Sequence, residues 1–304
     1  MTNKEERPAG CVLRLFGVPE QTVQKAVEAL PGSWQGTVHC RTRGAETLVA
    51  LQSSTPQQLH RAVQLLRTSL APALYGEGEQ TLAAAAVQAL EQHRKFLVCS
   101  DAAAGVLLET RLENLSGAEK VFDFGTMSYA NAALTARLSR KLRKAPQAEP
   151  ARTLARVQAM QRLTGAALVV GCVELLQSRL LLVGGKKGCW LRCLAPDENP
   201  GLWLLDMLRR AACGLPQAGG TSWRPYGRPI PDTALTPAAL AAAPPAPPRP
   251  KRHRLGRVLA VLLLLALAVL AAGWYYTGGD LAALPQKLQS LGAERLPHAG
   301  AKLV

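Results

Sequence analysis

Acidic residues are in short supply. Across 304 residues, 21 Asp and Glu face 36 Lys and Arg, a formal net charge of +15. A surplus of that size points to nucleic acid or an anionic membrane surface as a partner. Also missing is an apolar stretch behind the N-terminal Met-Thr-Asn-Lys-Glu-Glu-Arg-Pro. No cleavable signal peptide is therefore expected, and the body is expected to start in the cytoplasm. The seven cysteines are odd in number, and Cys11 and Cys99 stand in apolar runs, which excludes a disulfide scaffold and predicts reduced, buried thiols. Cys189 and Cys193 stand four positions apart, but no second Cys or His pair follows at ligand spacing. Neither a metal nor another cofactor is expected.

What is present is enough chain for about two domains, with the charge unevenly spread. Up to Cys213 there are 26 basic and 18 acidic residues, and in the last 91 residues 10 and 3. The tail is disproportionately cationic. It holds a run of 19 residues without a charge, 258–276, dominated by Leu, Ala and Val. That length matches the roughly 30 Å hydrocarbon core of a bilayer. Arg249, Lys251, Arg252, Arg254 and Arg257 precede it, and Trp274, Tyr275 and Tyr276 close it. The positive-inside rule then predicts a single-pass cell-membrane protein with a cytoplasmic N-terminal body and an external tail, 277–304. Between Gly214 and Pro250 lie 10 of the 21 prolines, together with alanine runs. This composition predicts an extended spacer over 214–257 that forms neither helices nor ladders.

Periodicity divides the rest. After a disordered start, 1–10, residues 11–76 predict a small α+β module: strand 11–16, helix 20–30, a strand pair 37–43 and 47–52, and an amphipathic helix 56–70. Residues 77–213 predict helices 80–93, 102–112, 132–142, 150–163 and 202–213. Strands are expected at 96–100, 121–129, 167–173, 179–183 and 190–194. The alternation indicates a layered α/β domain. Gly184-Gly-Lys-Lys-Gly188 lacks the spacing of a phosphate loop and lies between two strands, so it reads as a hairpin turn.

Two stretches, Leu-Arg-Leu-Phe-Gly-Val-Pro-Glu at 13–20 and Tyr-Gly-Glu-Gly-Glu-Gln-Thr-Leu at 75–82, resemble the KH-like middle module of the CinA family. Gly117-Ala-Glu-Lys-Val-Phe-Asp-Phe-Gly-Thr-Met-Ser-Tyr-Ala-Asn131 resembles the CinA C-terminal domain, a nicotinamide-mononucleotide amidohydrolase. The resemblance covers about 11–213 and implies a bacterial protein. In that family a serine, a tyrosine ten residues later and a lysine five further on are the proposed catalytic set. They correspond here to Glu119, Tyr129 and Leu134, so only the tyrosine is kept. Where family members carry Ala-Glu-Ser-Cys-Thr-Gly-Gly, this chain has Ser100-Asp-Ala-Ala-Ala-Gly-Val106. Three side-chain donors have become methyls. The family's glycine-rich Thr-Gly-Ile-Ala-Gly-Pro loop has no counterpart after the strand at 167–173.

Hydrolysis through a hydroxyl nucleophile needs the oxygen and a basic amine in reach, because an unassisted hydroxyl attacks weakly near neutral pH. A carboxylate at 119 repels an anionic nucleotide, and a leucine at 134 accepts no proton. Ser128 is expected on a strand with its side chain opposite Tyr129, and Ser116 in a turn. The resemblance with these losses implies a pseudoenzyme, a membrane-anchored module that senses a ligand or binds a partner at the cytoplasmic face. Asp101 and Gly105, at the start of a helix, together with Asn131, are the residues left to hold a nucleotide-like ligand. An active amidohydrolase with rearranged residues is the alternative, and RNA binding by the N-terminal module the second. A KH module clamps nucleic acid with Gly-x-x-Gly, whereas Gly32-Ser-Trp-Gln-Gly36 has one residue too many and no cation. Nucleic acid is therefore not the expected partner, and self-association stays open.

Overall fold

The computed structural model describes residues 9–175 and 178–227, and beyond them only positions 238, 239, 265, 268, 271, 272 and 275. The chain divides into two compact units, Met1–Pro248 and Arg249–Val304. In the second, the described Leu265, Ala268, Ala271, Ala272 and Tyr275 are all helical. The rest of the expected membrane span, the external tail and most of the expected spacer lie outside the described residues. Among the described residues no helix is long and apolar enough to cross a membrane.

The first unit is mixed α/β and contains two sheets. Strands β1 (Ala9–Phe16), β2 (Gly36–Arg43), β3 (Glu46–Ser53) and β4 (Leu74–Glu77) form an antiparallel sheet in the order β2-β3-β1-β4. Its inner face follows the two-residue period of a half-buried strand. Leu13 and Leu15 are buried on β1, as are Thr47, Val49, Leu51 and Ser53 on β3, with Leu13 opposite Val49. That face is covered by α1 (Glu20–Glu28) and α2 (Pro56–Ser69). On α2 the buried Leu59, Ala62, Val63 and Leu66 keep helical spacing, and Pro56 opens the helix where a missing N–H is harmless.

The second sheet has the order β5-β6-β7-β8-β9. It comprises β5 (Leu97–Cys99), β6 (Leu168–Leu175), β7 (Ser178–Gly184), β8 (Gly188–Leu194) and β9 (Thr221–Pro225). Only β5 and β6 run parallel; the rest form an antiparallel meander. β6 and β7 are near-continuous apolar runs because both faces are covered. Leu168, Val170 and Cys172 pack toward one cluster with α3 (Leu82–Gln92), α4 (Ala102–Leu112) and α8 (Pro200–Cys213). Val169 and Val173 face the other, with α6 (Ala132–Lys141) and α7 (Ala151–Thr164). Gly184 ends β7 and Gly188 opens β8, so the expected hairpin turn is there, closed by the Gly185 N–H donating to the Gly188 carbonyl at 2.9 Å.

Two sequence expectations are corrected. Residues 121–129 are not a strand. A short helix, α5 (Ala118–Val121), leads to a single bridge between Phe122 and Leu97, and turns follow. Phe124 and Gly125 both have positive φ, 48° and 80°, a pair of conformations that a regular strand does not adopt. The Asp123 carboxylate fixes the turn by accepting from the Gly125 and Met127 amides at 3.3 and 3.1 Å. Second, β9 lies inside the stretch expected to form no ladder. Its Thr-Ser-Trp core has strand-forming residues, and Trp223 lies opposite Trp190 with ring centroids 4.4 Å apart. Pro225 sits at the end of an edge strand, where proline is tolerated.

Candidate functional site

The parallel pair β5–β6 aims its C-terminal end at the start of α4. There Asp101 serves as N-cap, accepting from the Ala104 amide at 2.9 Å. Its other oxygen accepts from the Ser100 hydroxyl at 2.8 Å and the Cys172 amide at 3.3 Å, with the Arg156 guanidinium 3.8 Å away. Burial raises its pKa, against the pull of these donors and of Arg156. Its own carboxylate thus occupies the anion position of this helix. The Gly105 amide is also engaged, donating to the Asp101 carbonyl at 3.1 Å.

Gly105 has a different use. A Cβ there would collide with the Tyr129 ring. The ring closes over α4, and its hydroxyl donates to Glu109 on the same helix. Burial, then the Glu109 carboxylate, pushes the Tyr129 pKa well above that of a free phenol. Gly105→Ala is expected to cost about 1–3 kcal/mol through overpacking, partly offset by about 1 kcal/mol of helix propensity. Paired with Tyr129→Gly the loss should shrink; a double-mutant cycle showing no coupling would separate the two residues.

Asn131, the third expected ligand residue, caps α6 through its oxygen, 3.0 Å from the Leu134 amide, and donates to the Thr126 carbonyl at 3.2 Å. Glu119 is exposed in the first turn of α5. Leu134 packs with Val98 and Leu138 on the α6–α7 side of the sheet, whereas Tyr129 packs on the opposite cluster. The three positions thus stand in three environments. Ser128 lies in a turn rather than on a strand; it is fully buried, and its Oγ has no hydrogen-bond partner among the described residues. Lys120 is 3.3 Å from Glu91, and Arg156 is shared between Asp101 and Glu149. The buried thiols are held protonated: burial raises Cys99 and pushes Cys172 up to about 12. Among the described residues no group of three His, Cys, Asp or Glu side chains is placed to hold a metal.

Sequence reasoning missed a large cavity. About 880 Å³ opens where the end of β1 and the β2–β3 turn meet β8 and α8, lined by Phe16, Arg43, Glu46, Arg192, Glu198 and Trp203. Arg192 lies over the Trp203 ring, 3.3 Å from its centroid, and pairs with Glu198 at 3.4 Å. Below it, Asp206, Arg209 and Arg210 are buried together on α8. The one available signal was Asp-Met-Leu-Arg-Arg in an otherwise apolar helix, charges at i, i+3 and i+4 where water has no access.

No protein-family model matches the chain. It is 29% identical over 243 residues to a CinA-like protein of Desulfovibrio desulfuricans, an alignment covering 70% of this chain and 57% of that relative. The chain thus spans a little over half of that relative's length. The similarity supports a divergent relationship to the CinA family.

Proposed function

We propose that the protein is a divergent CinA-like module that does not hydrolyse amides and that senses a ligand or binds a partner at the cytoplasmic face of a membrane. One observation carries this reading. The Tyr129 hydroxyl is committed to Glu109, while the positions matched to the family's serine and lysine hold an exposed carboxylate, Glu119, and a packed leucine, Leu134. Acyl transfer needs a nucleophile with a base in hydrogen-bond reach. Ser128, the hydroxyl next to Tyr129 in the chain, is fully enclosed, and the cations Lys120 and Arg156 are paired with carboxylates. Losing members of such a unit costs several powers of ten in rate. The start of α4, filled by Asp101, repels a phosphate. The open cleft beside Arg43 and Arg192 is the better place for a small polar ligand.

The full-length protein in detergent, incubated with nicotinamide mononucleotide, is expected to release no ammonia above a protein-free control. Turnover that disappears on Tyr129→Phe would overturn the reading and restore the amidohydrolase alternative.

A further inference from the structure

We infer that the outer face of α6, with the 3-10 turn Leu142–Lys144 that continues it, is a docking surface for an anionic lipid bilayer. From Ala132 to Ala148 the chain contains no Asp or Glu and five cations, Arg137, Arg140, Lys141, Arg143 and Lys144. All five are exposed, and none joins an ion pair among the described residues. Packing enforces that exposure. Leu134, Leu138 and Leu142 recur every fourth residue and turn into the α6–α7 cluster, leaving the long cationic side chains outside. Complementing the helix dipole accounts for cations in the last turn only, and Arg137 lies before it.

Beside these cations lies a groove of about 430 Å³, lined by Phe96, Met127, Leu134, Arg137 and Leu163. Met127 is 49% exposed at its edge. Cations rimming an apolar hollow match a bilayer interface, where anionic headgroups lie above hydrocarbon. They match a single-stranded nucleic acid poorly, because α6 and the turn after it carry no aromatic residue, and Phe96, the one aromatic lining the groove, is half-buried and packed against the α6–α7 cluster rather than offered as a stacking platform. The inference rests on the membrane location proposed above, with the expected span at 258–276 as the tether. Residues 228–248, between the described body and the cationic run at 249–257, can span at most about 75 Å. The body is then confined to a layer next to the leaflet that the 249–257 cations select.

The test uses the full-length protein reconstituted in phosphatidylcholine vesicles with or without about 30% phosphatidylserine. Amide hydrogen exchange over 132–144 is read with and without added salt. Exchange is expected to slow only in the anionic vesicles, and salt should reverse the effect. Arg137→Gln, Arg140→Gln and Arg143→Gln together should abolish the slowing, since about fivefold per charge amounts to roughly 100-fold in surface affinity. Neutralising Lys25, Arg41 and Arg61 instead, exposed cations on the other sheet's module, should leave it intact and controls for total charge. Alkaline extraction separates the two ideas. A protein retained in the bilayer with equal exchange in both vesicle types sinks the docking surface and spares the tether. A protein that extracts freely, yet sediments with anionic vesicles only while the three arginines are present, does the reverse. Slowed exchange with a single-stranded RNA and none with anionic vesicles would also overturn the inference.

Discussion

Asp206→Ala is expected to lower the stability of the folded body by about 3–5 kcal/mol, the cost of breaking a buried ion pair from one side. Asp206 is 1% exposed, and its two oxygens divide between two guanidinium groups that are themselves buried. Oδ1 accepts from Arg209 Nη2 at 2.8 Å and Oδ2 from Arg210 Nε at 2.6 Å. Both arginines then cross to the first sheet and its connections. Arg209 donates to the carbonyls of Pro72 and Leu74 at 2.9 and 3.1 Å, and Arg210 to that of Phe16 at 2.9 Å. Burial lowers the Arg210 pKa and Asp206 opposes the shift, so removing the carboxylate strands two cations in a dry site. Against a total stability of about 5–15 kcal/mol this is a large fraction, and the melting temperature should fall by roughly 10 °C. Thermal unfolding of the full-length protein checks it. A loss below about 1 kcal/mol would mean that water reaches the site. Asp206→Asn keeps the shape but turns an amide donor toward one arginine, so it should recover little.

The sequence showed the parts of the fold set by local pattern. Leu13 and Leu15 alternate with Arg14 along β1, and Leu59, Val63 and Leu66 recur along α2; each pattern has one reading once one face is buried. The stretch 118–131 defeated the same logic. Phe-Asp-Phe alternates as a strand does, yet an Asp side chain and two residues of positive φ hold it in turns. Side-chain-to-backbone bonds compete with a ladder and leave no trace in hydrophobic period. β9 was hidden for another reason. Its five residues lie in a proline-rich stretch whose overall composition reads as a spacer, although Thr-Ser-Trp by itself favours a strand.

The site was legible only in part. The resemblance located Tyr129, Glu119 and Leu134, but not Glu109, which takes the Tyr129 hydroxyl from 20 positions away on α4. No local rule links the two. Asp101, at the start of a helix, was recognisable as a cap and is bonded as one, with an oxygen on an α4 amide; Asn131 caps α6 in the same way, a role hidden while 121–129 read as a strand. Charges at i, i+3 and i+4 on α8 ordinarily mean a solvated face worth a few tenths of a kcal/mol. Here burial gives the same spacing a different energy, and burial is a property of the assembled layers.

The second large effect concerns 258–276. Seven Leu and three Val in this run contribute about −4 kcal/mol to bilayer insertion, at roughly −0.3 to −0.6 each. The ten favourable side chains outweigh the near-neutral alanines, so wild-type protein is expected to stay with membranes after alkaline extraction. One arginine near the centre costs about 2.5–3.5 kcal/mol, which roughly cancels the gain without reversing it. Two of them, Leu264→Arg with Leu267→Arg, cost about 5–7 kcal/mol and reverse it. The double variant should therefore move almost wholly to the soluble fraction, while the single variants divide between fractions. The magnitudes matter because the five cations at 249–257 remain in every variant. If surface charge alone held the protein to membranes, high salt would release the wild type and the substitutions would change nothing. Retention of the double variant through alkaline extraction would likewise defeat the idea that 258–276 spans the bilayer.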